Sequence, residues 1–277
     1  MRNKLILIAI LLIIGVTLYS IFANKNNTGN IDNPPITNYP VVQTLSLKTS
    51  VALPHDTAAY TEGLEFYKGN LYESAGLNNQ SYLVQYQPNS TIKVAIKKTI
   101  TDPNIFAEGI TILNDTVYQL TYQSKKIFRY HATNLAIIDS MPWANGEGWG
   151  LTNNGTELIA SNGTNIIYYL KPNNLQIVKT LNVLHNGVPL DNINELEYVE
   201  GYIYANVFTT DNIMKIDPAT GYVIAQLNLA NLLPAYNAAA NANTQKEKYL
   251  NGIAYNITTK QYYVTGKNWP QIFAITF

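Results

Sequence analysis

The 277 residues carry 18 basic and 18 acidic side chains, which leaves no basic excess to attract phosphate and argues against nucleic acid as a partner. Cysteine is absent, so disulfides, thiolate catalysis and cysteine-ligated zinc are excluded. The 21 tyrosines, set among many valines, isoleucines and threonines, suit the pleated, half-buried surface of a sheet and favour an all-β chain.

Residues 1–23 begin with Arg2 and Lys4 and then run apolar from Leu5 through Val16 and, less purely, on to Ala23. A positive start followed by an apolar run marks an export signal, read either as a signal peptide or as an N-terminal membrane anchor. Either way the body of the protein is expected outside the cytoplasmic membrane, periplasmic or extracellular. Residues 24–40 are polar, contain Pro34 and Pro35, and read as a linker. The folded domain is expected over 41–277. Its first segment, 41–53, alternates and gives one or two strands without a repeat unit of their own.

Five units follow. Thr61-Glu62-Gly63-Leu64-Glu65, Phe106-Ala107-Glu108-Gly109-Ile110-Thr111, Gly148-Trp149-Gly150-Leu151-Thr152, Ile193-Asn194-Glu195-Leu196-Glu197 and Leu250-Asn251-Gly252-Ile253-Ala254 share a small or polar entry before apolar alternation. The matching positions are Glu62, Glu108, Trp149, Asn194 and Asn251, separated by 46, 41, 45 and 57 residues. Periods in the forties made of short strands indicate a five-bladed β-propeller, which closes as one domain because a lone blade cannot bury its faces.

The first unit predicts strands at 64–67, 71–74, 82–87 and 92–100. The second predicts 110–113, 116–121, 126–131 and 135–140. In the third, strands are expected from 151 and at 157–161, 166–171 and 176–183. The fourth gives 196–199, 202–207, 213–217 and 222–229, with Asp217-Pro218-Ala219-Thr220-Gly221 as a turn in which proline presets φ and glycine takes the positive φ. Residues 230–248, rich in alanine and asparagine, lengthen the last step and predict a loop with some helix over one mouth of the channel. The fifth unit has three strands, at 253–255, 261–265 and 271–277, and segment 41–53 can supply the missing outer one, closing the ring.

Matched places in a ring of blades converge on the channel, so the five entry positions are site candidates. A second matched set is Gly76, Tyr122, Gly163, Phe208 and Lys267. The two sets offer a carboxylate for proton transfer in Glu108, an amide and an ammonium in Asn194 and Lys267, and flat walls in Trp149, Tyr122 and Phe208. Plain structural roles stand beside these: turn caps for the Glu and Asn positions, core packing for the aromatics. Asn251 reads as structural, and so does Glu62 if it pairs with Lys267. A carboxylate beside glycine on an apolar strand, as in Glu108-Gly109-Ile110, is the hardest to assign to packing, because its burial costs stability. His55, His131 and His185 are too scattered for a ligand set, and there is no nucleophile elbow or phosphate loop.

Over residues 50–277 the chain resembles the plant and bacterial type of glutamine cyclotransferase. The stretches Tyr60-Thr61-Glu62-Gly63-Leu64, Glu73-Ser74-Ala75-Gly76-Leu77, Phe106-Ala107-Glu108-Gly109-Ile110-Thr111 and Tyr118-Gln119-Leu120-Thr121 are similar to its motifs. So are Gly146-Glu147-Gly148-Trp149-Gly150-Leu151, Asn194-Glu195-Leu196-Glu197-Tyr198, Tyr204-Ala205-Asn206-Val207, Leu250-Asn251-Gly252-Ile253-Ala254-Tyr255 and Thr265-Gly266-Lys267-Asn268-Trp269-Pro270. The resemblance implies a five-bladed propeller that converts the N-terminal glutamine of a peptide or protein to pyroglutamate with release of ammonia, without metal or other cofactor. It makes Glu108 the catalytic acid and base, with Tyr60, Phe106, Trp149, Asn194 and Lys267 lining the substrate site. Three positions depart from the family pattern: Glu62 stands where glutamine is usual, and Tyr122 and Phe208 stand where tryptophan is. They join the substrate-binding set, and the propeller is expected to act as a monomer. The alternatives are a calcium-dependent lactonase-like hydrolase, with Glu62, Glu108, Asn194 and Asn251 as an oxygen ring, and a propeller that binds peptides without turnover.

Overall fold

The computed structural model describes residues 39–88, 93–232 and 248–277. The expected export segment, nearly all of the linker and most of the loop at 230–248 lie outside the described residues. Among those described there are strands and turns but no α-helix, and so no helix long and apolar enough to cross a membrane.

Two short strands come first, β1 (Gln43–Leu45) and β2 (Thr49–Pro54), and then the blades begin. Blade one is the antiparallel meander β3 (Thr61–Tyr67), β4 (Asn70–Ala75), β5 (Tyr82–Gln87) and β6 (Lys93–Thr99). Blade two is β7 (Ala107–Leu113), β8 (Thr116–Thr121), β9 (Lys126–His131) and β10 (Ile137–Pro142). Blade three is β11 (Leu151–Asn153), β12 (Leu158–Ala160), β13 (Ile166–Leu170) and β14 (Ile177–Asn182). A small hairpin, β15 (Leu184–His185) with β16 (Val188–Pro189), intervenes. Blade four follows as β17 (Ile193–Val199), β18 (Tyr202–Val207), β19 (Asn212–Ile216) and β20 (Val223–Asn228). Blade five is β21 (Leu250–Asn256), β22 (Gln261–Gly266) and β23 (Gln271–Thr276).

Segment 41–53 divides between two blades. β2 lies antiparallel on β23, from Thr49 opposite Thr276 to Pro54 opposite Gln271, and makes a fourth strand for blade five. β1 instead runs parallel along the outer edge of β20 and gives blade four a fifth strand. Only three residues separate the two strands, so the chain steps from one outer edge to its neighbour, and each edge gains a partner for its free N–H and C=O groups. The hairpin at 184–189 is also absent from the predicted strand schedule. Its turn is Asn186-Gly187, both at positive φ, the dipeptide that favours such a tight reversal.

Burial falls from the axis outward. All seven residues of β7 are buried, as are the first five of β3, β17 and β21. The outer strands expose apolar side chains such as Ile137 and Ile177. Five apolar clusters fill the seams between neighbouring blades. One joins Tyr72 and Leu83 of blade one to Ile110 and Val117 of blade two, and another joins Leu64 and Leu71 of blade one to Ala254 and Ile272 of blade five. The first and last blades therefore share a core like any other pair, and each buried leucine or isoleucine there contributes roughly 1.5–3 kcal/mol.

Inner strands touch backbone to backbone, and this is why four of the five blade entries carry glycine. A Cβ on Gly109 would stand 2.5 Å from Leu151 N and 2.6 Å from Trp149 O, in the path of the Gly109 N–H to Trp149 O bond of 2.8 Å. The inner strands also share one irregularity. Their ladders slip between Thr61 and Gly63, Ala107 and Ile110, Ile193 and Leu196, and Leu250 and Ile253. Such bulges re-aim a side chain out of the alternating pattern. Here they fall at Glu62, Glu108, Asn194 and Asn251.

Candidate active site

At the mouth defined by these bulges lies a cavity of about 180 Å³ lined by Tyr60, Glu62, Phe106, Glu108, Tyr122, Trp149, Asn194, Phe208 and Lys267. These are the nine residues singled out from the sequence. Asn251 does not line it. That side chain lies behind Glu62, with Nδ2 donating to Thr61 O at 3.0 Å and to Glu62 Oε2 at 3.1 Å.

One backbone hydrogen bond, repeated around the ring, brings the two matched sets together. Gly76 N donates to Tyr60 O, Tyr122 N to Phe106 O, Phe208 N to Asn192 O and Lys267 N to Tyr249 O, all at 2.8–3.0 Å. Each closes the first hairpin of a blade at the cavity end. Residues leaving the second strand, Tyr122, Phe208 and Lys267, thereby face those entering the first. In blade three the leaving residue is Gly163, at φ +81°, and a Cβ there would stand 2.7 Å from the Trp149 indole. The absence of a side chain gives the indole its place.

The aromatic side chains of the wall meet in two groups. Tyr60 meets Phe106 edge-on at 6.1 Å, Phe106 meets Tyr122 at 5.9 Å, and across the cavity Trp149 meets Phe208 edge-on at 5.7 Å. Lys267 Nζ lies 4.4 Å from the centre of the Tyr60 ring and 5.3 Å from that of Phe208, in reach of both π faces.

Charge is concentrated on one side. Lys267 Nζ donates to Glu62 Oε1 at 2.5 Å, and both side chains are almost wholly buried. Glu108 hydrogen-bonds Glu62. Its carboxyl is held well above the usual carboxylate range, first by burial and then by the negative charge of Glu62, with Lys267 opposing. Two carboxyl groups in hydrogen-bond contact cannot both ionise cheaply. Glu108 is therefore protonated and donates to a Glu62 carboxylate balanced by the Lys267 ammonium. Opposite them Asn194 is buried, and its Oδ1 has no hydrogen-bond partner among the described residues.

Glu62 is committed to Lys267, Asn251 presents its NH₂, and among the described residues no three His, Asp or Glu side chains gather in a metal-ligand arrangement.

Glu147, which the matched positions had missed, stands at the rim. Its Oε1 accepts from Gln123 Nε2 at 2.9 Å and its Oε2 from Trp149 Nε1 at 3.2 Å. The signal lay two residues before the matched tryptophan. Glu147 precedes Trp149 by the step that separates Tyr60 from Glu62 and Phe106 from Glu108.

Three further carboxyls, Glu65, Glu195 and Glu197, are buried on the inner strands beyond the cavity. Glu195 accepts from Leu64 N and Ile253 N at 3.1 and 2.9 Å, and Glu197 from Tyr255 N at 2.8 Å. Glu65 accepts from the Thr111 hydroxyl at 2.9 Å. These contacts tie blades one, two, four and five around the axis. Burial pushes Glu65 up to about 7 and holds Glu195 and Glu197 well above their ordinary values.

A family profile described as glutamine cyclotransferase matches residues 16–277. The chain belongs to the glutamine cyclotransferase family. Within reach of it is the glutaminyl-peptide cyclotransferase of Arabidopsis thaliana, 33% identical over 224 residues, which cover 80% of this chain and 68% of that protein. The crystal structure of Myxococcus xanthus glutaminyl cyclase superposes with a TM-score of 0.75 at 31% identity, covering 86% of this chain and 97% of that one. In this member of the family the departures Glu62, Tyr122 and Phe208 all line the cavity. Glu62 brings a carboxylate beside Glu108, and Tyr122 brings a hydroxyl near Glu147.

Proposed function

We propose that the protein is a glutaminyl-peptide cyclotransferase that closes the N-terminal glutamine of peptides or proteins to pyroglutamate and releases ammonia. The observation that carries this reading is the gathering of Glu108, Glu62 and Lys267 in one aromatic-walled cavity, in a chain of this family.

The reaction joins the α-amine nitrogen to the side-chain amide carbon and breaks the bond from that carbon to the amide nitrogen. Both reacting groups belong to one residue, so the protein needs mainly to hold the folded conformer. The aromatic walls do this by leaving no room for the extended one. Asn194 Oδ1, a buried acceptor without a partner, takes an N–H of the substrate and so has the hydrogen bond its burial demands.

Proton transfer falls to the carboxyl pair. As the amine attacks, one of its protons passes to the pair's carboxylate, and the carboxyl of Glu108 gives one to the departing nitrogen. The pair ends with the same number of protons. General acid and base action of this kind contributes about 10² to 10⁴ in rate. The amide oxygen gathers negative charge in the tetrahedral intermediate. An ammonium has three donors, and Lys267 directs one to Glu62, so it can also serve the oxyanion, where one donor is worth roughly 3–4 kcal/mol.

Incubation with a short peptide bearing N-terminal glutamine, followed by mass spectrometry, tests the reading. Loss of one ammonia above the spontaneous rate, abolished in Glu108→Gln, supports it. Equal loss with and without the protein refutes it. The same reading places the propeller outside the cytoplasmic membrane, on the strength of Arg2 and Lys4 ahead of the apolar run 5–23. Fractionation of cells producing the full chain tests that, and recovery in the cytosol overturns it.

A further inference from the structure

Glu147 is half-exposed at the rim, and its carboxylate joins two blades. Gln123 follows β8 of blade two, and Trp149 precedes β11 of blade three. Inside the cavity charge is balanced: Lys267 faces Glu62, and Glu108 keeps its proton. Glu147 has no such balance, since none of the ion pairs among the described residues includes it. Its negative charge is felt as far inward as Glu108.

A substrate whose glutamine reaches Glu108 must carry the rest of its chain out past this rim. We propose that Glu147 determines substrate specificity, favouring peptides in which a basic residue directly follows the N-terminal glutamine. The inference rests on the cyclotransferase reading and adds the class of peptide to it. Two neutral donors, Gln123 Nε2 and Trp149 Nε1, hold the carboxylate in one place without removing its charge, so the group acts as a fixed anion. A cation within a few ångströms of such an anion near a protein surface gains enough Coulomb energy for about a tenfold preference over an anion in its place. Salt screens an interaction this exposed.

The test compares kcat/KM for Gln-Lys, Gln-Ala and Gln-Glu peptide amides at low and high ionic strength. At low salt the lysine peptide should lead the glutamate peptide by about tenfold, mainly through KM, and the lead should shrink as salt is added. In Glu147→Gln, which keeps an oxygen acceptor but loses the charge, the ratio should collapse to near one. Glu147→Asp should retain it. A loosened aromatic wall slows all the peptides together and leaves the ratio alone, so a merely structural role does not mimic the result. A wild-type ratio near one, or a ratio unchanged in Glu147→Gln, overturns the proposal. If Gln-Ala releases no ammonia, the cyclotransferase reading fails. Titration calorimetry with the lysine and glutamate peptides then decides the inference: tighter lysine binding that is lost in Glu147→Gln supports it, and equal affinities overturn it.

Discussion

Glu62→Gln removes the anion beside Glu108 with little change of shape. In the wild type Glu108 is held protonated by burial and by Glu62, while Lys267 is occupied by Glu62. The substitution deletes the repulsion and leaves the Lys267 charge uncompensated, and both effects favour ionised Glu108. A charge pair in hydrogen-bond contact at an effective dielectric of about 20 is worth roughly 3–4 kcal/mol, or about 2–3 pKa units. The assay is the pH dependence of kcat/KM with one N-terminal glutamine peptide. Ionisation of the substrate α-amine is common to both proteins, so the difference between them reports the enzyme. The basic limb, where the carboxyl pair loses its last proton, should move toward acid by about two units, and the limb belongs to the pair rather than to either residue alone. A basic limb displaced by less than a few tenths of a unit, in a folded variant, would refute proton sharing between Glu62 and Glu108.

Glu108→Gln keeps the hydrogen bond but not the exchangeable proton, and should lower kcat by about 10² to 10⁴ with a small change in KM; a loss of less than threefold in single-turnover experiments would remove Glu108 from the proton path. Stability should peak near pH 5 and fall as pH rises through 7. The raised carboxyls Glu65, Glu195 and Glu197 and the raised His55 bind protons more tightly folded than unfolded, so their contribution is complete below their ordinary values and is lost as pH climbs through the folded ones. For Glu65, moved from 4.5 to about 7, the term is on the order of 3 kcal/mol. Thermal melts from pH 4 to 9 check this, and a melting temperature that rises from pH 5 to 8 contradicts it. Glu73 has the opposite sign. Although burial raises it, His55 and the hydroxyls of Thr61 and Tyr86 bring it below its ordinary value, so its contribution is lost as pH falls through the acid range. Glu73→Gln strips His55 of its counter-charge, and His55 in turn holds Trp269 O at 2.7 Å, two residues from Lys267. About 3–5 kcal/mol of stability should be lost in urea titration; a loss under 1 kcal/mol would show that the pair carries no weight.

Much of the architecture was legible in the sequence because a propeller is periodic along the chain before it is periodic in space. The recurrence of a small or polar entry before apolar alternation, at steps of 46, 41, 45 and 57 residues, pointed to five blades, and matched positions in a closed ring must meet at its axis. That is how seven residues scattered from Glu62 to Lys267 could be assigned to one cavity, with Tyr60 and Phe106 added by the resemblance to the family. Strand starts were read late in the inner strands, at Ile110 and Leu196 rather than Ala107 and Ile193, because the bulge interrupts the alternation from which a strand is recognised.

What the tertiary structure decided depends on distances that spacing does not encode. The bulges turn Glu62 and Glu108 toward each other, and the partner of Glu62 is a lysine 205 residues away. Whether a carboxyl is an anion or a proton donor follows from such neighbours and from burial, so the protonation of Glu108 belongs to the fold rather than to the motif. The same holds for Glu147, whose donors come from two blades, and for β1, whose parallel seat on β20 was settled by which neighbouring edge stood open. The sequence determined which residues meet; their charge states and pairings arise only once the ring is closed around them.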